Sequence, residues 1–150
     1  MDSKEIKKNI KRKVLSKKIN EFLPSFDENS FINIDETIAF SENVYKKIEL
    51  MEQIILNKHL ESNLKEIYKI KNTFSNVNTK NGVLLHYYDS ISGAVLISVN
   101  DFFENIELIL DFSEFSLGKR DLIFAHQFLK FGICIERYEH YNKLVIWNEF

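Results

Sequence analysis

The chain predicts an α+β fold, with two or three N-terminal helices packed on a mostly antiparallel sheet of five or six strands ending in a β-meander. Two observations carry this. Apolar residues recur at three- and four-residue spacing up to about residue 74, and from Gly82 the period shortens to alternation. The runs 121–126, 131–137 and 143–147 are each rich in β-branched or aromatic residues and separated by short polar breaks, as half-buried strands require. With one proline and four glycines there is no linker composition, so 150 residues read as a single domain. Its expected parts are a basic amphipathic helix over 1–23, a helical segment over 35–74 and a mainly β segment over 82–150.

In the first helix Ile6, Ile10 and Val14 recur every four residues, Leu15, Ile19 and Phe22 continue the stripe, and Pro24 stops it. A basic amphipathic helix can bind a membrane surface or nucleic acid. The plain structural reading, which is the expectation, lays this stripe on the domain and turns the lysines over the body's acids. Residues 35–57 predict the best helix, through Ile38, Val44, Tyr45, Ile48, Met51, Ile54 and Ile55, with Asp35 or Ser41 as its cap. A further helical segment runs from His59 to Phe74. Residues 83–88 and 93–99 flank a four-residue loop at 89–92 and predict a hairpin. Residues 100–112 fit either period; the expectation is a helical turn at 101–105 followed by a strand.

A net charge of −2 conceals an uneven division. Residues 1–20 carry +6 and the remainder −8, an acidic body with a basic arm. Such a body repels nucleic acid and anionic lipid and steers cationic partners. The single cysteine, Cys134, lies within a predicted strand as a buried thiol, which implies a reducing compartment. No signal-peptide pattern or membrane-length apolar run occurs, so the expected location is the cytoplasm.

The ingredients of a small nuclease acting on RNA or DNA are present in His86, Lys119, Arg120, Asp121, His126, Glu136, Arg137 and His140, but they lie on separate predicted strands. The four histidines lack zinc-ligand spacing, and Gly118-Lys119-Arg120 lacks the glycines of a phosphate loop. The expectation is therefore no catalytic residue, metal or cofactor. More suggestive is the thirty-eight-residue span 81–118, which has no lysine or arginine. In it Asp101, Glu104, Glu107, Asp111 and Glu114 recur every three or four residues, interleaved with Phe102, Phe103, Phe112 and Phe115. Carboxylates beside apolar anchors suit a basic protein partner, and Asp101, Phe102, Glu104, Glu107, Asp111 and Glu114 are the expected contact residues.

The runs FSLGKRDLI (115–123), KFGICIERY (130–138) and KLVIW (143–147) resemble the immunity proteins of bacterial contact-dependent growth inhibition and related polymorphic toxin systems, over the last third of the chain. That resemblance implies a small, non-enzymatic cytoplasmic protein that binds one cognate toxin domain, often a nuclease, and blocks its active site or substrate access. No cofactor and no direct contact with nucleic acid or membrane are expected.

Overall fold

Helix α1, Ser3–Asn20, starts at Asp2, whose side chain accepts from the Glu5 N–H at 2.8 Å. The computed structural model describes residues 2–150, so Met1, the first position of the helix expected over 1–23, lies outside the described residues. The expected stripe divides: α1 buries Leu15, Ser16 and Ile19, whereas Ile6, Ile10 and Val14 face solvent. The drift of a four-residue repeat around a 3.6-residue helix carries its two ends to different faces.

A 3-10 turn, Glu28–Ser30, leads to α2, Ile34–Leu50. Neither Asp35 nor Ser41 caps it. Asn33 does, accepting from the Glu36 N–H at 2.7 Å, because Asn33 is still extended while Asp35 is already in the first turn. The helix also stops at Leu50 rather than Asn57. Met51 turns to extended backbone and Ile54–Leu56 forms strand β1, where β6 offers its backbone an antiparallel partner and β-branched side chains suit the pleat.

Helix α3, Leu60–Ile70, runs on into a 3-10 segment, Lys71–Val77. Strands β2, Asn81–Leu84, and β3, Val95–Ser98, form the expected hairpin in register Asn81↔Ser98 to Leu84↔Val95. Its connection is longer than expected and holds a one-turn helix, α4, Asp89–Ser92, anchored by the His86 N–H donating to Asp89 Oδ2 at 3.0 Å. The strand expected near 106–112 is instead a second helix: α5, Val99–Glu104, is followed by α6, Ile106–Ser113. The Ser98 side chain caps α5 by accepting from the Asp101 N–H at 3.1 Å. Burial of Phe102, Phe103, Ile106, Ile109 and Leu110 follows helical spacing, with Leu108 left outside.

Strands β4, Leu122–Ala125, β5, Phe131–Arg137, and β6, Asn142–Asn148, are the predicted meander. All six strands pair antiparallel in the order β1-β6-β5-β4-β2-β3. Helices cover both faces. Phe40, Val44 and Ile48 of α2 pack on Val83, Ile123, Cys134 and Val145. On the other face Phe74, Phe102, Phe103 and Ile109 meet Leu84, Phe124, Ile133 and Leu144. Every residue of β4 is therefore buried, so the central strands are not the half-buried strands expected. The sheet lies between two layers of helix.

Candidate functional site

The six expected contact residues do not form one surface. Asp101 is half-buried and lines a depression beside edge strand β3 with Asp27, Asn29 and Ser98. Phe102 is a correction: its ring is buried and stacks on Phe124 at 4.2 Å, so it cannot present itself to a partner. Phe103 and Phe115 are buried as well and Phe112 is half-buried, because an α5–α6 pair must turn its large apolar side chains onto the sheet. Glu104 and Glu107 are exposed and form no ion pair among the described residues. Asp111 is exposed and accepts from the Ser116 hydroxyl at 2.6 Å. Glu114 ends α6 in left-handed backbone at φ 67° and pairs with Lys119 at 3.6 Å, its Oε2 buried without a hydrogen-bond donor.

A groove of about 480 Å³ separates α1 from α6. Leu15, Lys18 and Phe22 form one wall and Leu108, Asp111 and Phe112 the other, with Tyr88, Glu114 and Leu117 completing it. Lys18 makes no ion pair with Asp111 among the described residues. Leu108 and Leu117 are 48% and 64% exposed and line this groove with Asp111, where the expected phenylalanines are buried or half-buried. Sequence reasoning missed Leu108 because a strand was expected there; a helical period centred on Ile106, Ile109 and Leu110 leaves it on the outer face. The exposed face of α6 thus carries Glu107, Leu108 and Asp111, two carboxylates beside an apolar side chain.

Of the nuclease ingredients, Lys119, Arg120, Asp121 and Arg137 come together, and none of the three histidines lines their depression. His86 is wholly buried: its Nδ1 accepts from the Tyr88 N–H at 3.3 Å and its Nε2 lies 2.9 Å from the Gly93 carbonyl oxygen, which assigns the proton to Nε2. Burial, with Arg120 nearby, holds the imidazole below its usual pKa, so it is neutral. Ser92 Oγ, 3.3 Å from Nε2, therefore faces a donor and not a base, and donates to the Gly93 carbonyl at 2.8 Å. Lys119, Arg120, Asp121 and Arg137 line an open depression with Tyr45, where the Arg137 guanidinium donates to the Phe115 carbonyl at 3.3 Å and has no carboxylate partner among the described residues. Arg120 pairs with Asp89 at 3.0 Å and Lys119 with Glu114, while Asp121 accepts from the Tyr45 hydroxyl and the Arg137 N–H. His126 lies past the other end of β4, its ring against Phe128, Phe131 and Phe150. His140 is exposed beside Glu139 at 3.8 Å.

Comparison with known proteins places these features in context. The family model described as YxiF protein matches residues 3–147. A Bacillus subtilis (strain 168) protein described as "Uncharacterized protein YxiF" is 26% identical over 155 residues, covering 91% of this chain and 92% of the relative. No solved structure matches.

Proposed function

We propose, from the premise that this chain belongs to the YxiF family, that it is a non-enzymatic immunity protein that binds and neutralises a cognate toxin domain, a basic nuclease, in the cytoplasm. The observation that carries this reading is the outer face of α6: Glu107 and Asp111 stand one turn apart with Leu108 between them, in a span free of lysine and arginine. Glu104, exposed at the end of α5, adds a further carboxylate, and Leu117 shares the groove with Leu108 and Asp111. The resemblance of the last third of the chain to immunity proteins supports the same reading.

The mechanism is occlusion. Carboxylates at Glu104, Glu107 and Asp111 take the positions of nucleic-acid phosphates over the toxin's cations, while Leu108 and Leu117 exclude water from the contact. An interface of roughly 1,600 Å² in total suits such a pair, and close charge pairs in it couple by about 1.5 to 7 kcal/mol. No cofactor takes part.

The test is capture of a partner from the native cell with the purified chain, followed by titration of that partner's basic domain over a series of salt concentrations. Tight association that weakens with salt is expected, with both affinity and salt sensitivity reduced by the double variant Glu104→Lys/Glu107→Lys. Association indifferent to salt and to the charge reversal would remove the α6 face from the mechanism.

A further inference from the structure

Helix α1 divides its cations into two sets. Those facing the domain are used by the fold: Arg12 Nε donates to the Ser92 carbonyl at 2.7 Å and its Nη2 to the Ile32 carbonyl at 3.2 Å. Lys8 pairs with Glu5 at 2.8 Å, and Lys11 lies 4.1 Å over the Tyr88 ring. Lys4, Lys7, Lys13 and Lys17 point outward and, like Lys18 in the groove wall, have no hydrogen-bond, ion-pair or ring partner among the described residues. Between them stand Ile6, Ile10 and Val14, which are 46%, 59% and 45% exposed. At 100° per residue, Lys13, Ile6, Lys17, Ile10, Val14 and Lys7 follow one another across an arc of roughly 120°. Glu5, the helix's one acid, lies outside that arc.

We infer that this outward face of α1 docks reversibly on an anionic lipid surface. The inference is independent of the toxin reading, which uses α6. A phosphodiester backbone would satisfy the lysines but set the β-branched stripe against hydrated phosphates. A bilayer interface takes both, with ammonium groups at the headgroup phosphates and Ile6, Ile10 and Val14 at the acyl boundary, their neighbours' aliphatic stems alongside. Among the described residues no helix is long and apolar enough to cross a membrane, so α1 lies on the surface. This departs from the expectation of no membrane contact, which assumed that the stripe was packed inward. The net −8 of residues 21–150 opposes approach to the same surface, so docking is modest and salt-sensitive.

The test is co-sedimentation of the full chain with vesicles of equimolar phosphatidylglycerol and phosphatidylcholine, against phosphatidylcholine alone. Sedimentation with the anionic vesicles only is expected, reduced roughly tenfold or more in Lys7→Glu/Lys13→Glu/Lys17→Glu. Ile10→Ser, which keeps the charge, lowers it too. All four positions are exposed, and unchanged circular dichroism verifies the fold. Equal partition to both vesicle types, no partition to either, partition unaffected by the charge reversal, or binding of duplex or single-stranded oligonucleotides without binding of vesicles would each overturn the inference.

Discussion

The Tyr45 hydroxyl donates to Asp121 Oδ2 at 2.7 Å, and the other oxygen of that carboxylate accepts from the Arg137 N–H at 2.8 Å, so one side chain joins α2 to the start of β4 and the end of β5. Replacing each partner separates the two bonds. Tyr45→Phe removes one donor and should cost about 1 kcal/mol, whereas Asp121→Ala leaves both donors unmatched and should cost about 3 kcal/mol. Urea unfolding of the two variants measures the difference, and equal costs would mean that the Arg137 bond contributes nothing.

The same phenol takes part in an alkaline transition. Burial and the Asp121 carboxylate raise the Tyr45 pKa far above the usual tyrosine value, and burial raises that of the Cys134 thiol. An unfolded chain releases the cysteine proton near pH 8.5 and the tyrosine proton near about pH 10, where the folded chain keeps both. The unfolded state then binds fewer protons, so stability falls as pH rises, by about 1.4 kcal/mol per pH unit for each group past its unfolded pKa. Cys134→Ala should remove the part of the slope that begins near about pH 8.5, and Tyr45→Phe the part beginning near about pH 10. A stability profile that stays level to high pH in the parent chain would contradict the burial argument.

Acid acts on His86 with the opposite sign. Its pKa is lowered, first by burial and further by Arg120, against the opposing influence of the Gly93 carbonyl, Asp89 and Glu114. Below about pH 6.5 the unfolded histidine takes up a proton that the folded one refuses, so stability declines as pH drops through that value. His126 contributes in the same direction, its pKa lowered by burial, Lys80 and Lys130. His86→Leu should flatten stability between about pH 7 and 5 more than His126→Asn does. Thermal melts across that window decide it.

How much was legible in the sequence follows from which residues answer to local rules. The meander was readable because Phe131–Arg137 and Asn142–Asn148 carry β-branched and aromatic runs between polar breaks. Strand β1 was not, because Ile54 and Ile55 prolong the helical period of α2 and only the free edge of β6 diverts them. Helix α6 was misread because Ile106, Leu108 and Leu110 alternate as well as a strand would. The choice is made by Phe102 and Phe124, whose stacking places α5 on the sheet and leaves the chain beyond it to cover the remaining apolar surface. Of the candidate site, the carboxylates were visible in the sequence. Their apolar companions were not, since which of Phe102 and Leu108 faces solvent depends on that helix and not on hydrophobicity.

Gly132 tests the packing of the α2 face. A Cβ there would stand 2.2 Å from the Trp147 ring, which lies across the glycine and whose Nε1 donates to the Leu129 carbonyl at 2.8 Å. Leu129 is held at φ 62°, so the ring also anchors a turn in left-handed backbone. Gly132→Ala should destabilise by about 1 to 3 kcal/mol through overpacking. In Trp147→Leu the same alanine should cost less, because the ring it displaces is gone. A double-mutant cycle with no coupling would refute the contact.

Phe102 and Leu108 separate the core of the helix pair from its outer face. Phe102 is fully buried against Phe124, so Phe102→Ala should cost about 3 to 5 kcal/mol. Leu108 keeps 48% of its surface exposed, so Leu108→Ala should cost far less, about 1 kcal/mol or under. If the outer face of α6 engages a basic partner, the order reverses in a binding assay: Leu108→Ala weakens capture while the fold is intact. Phe102→Leu, which keeps most of the buried volume, should bind as the parent chain does. Unfolding curves and titration on the same three proteins distinguish the roles, since a helix pair that served only to cover the sheet would show a stability cost at Phe102 and no binding effect at Leu108.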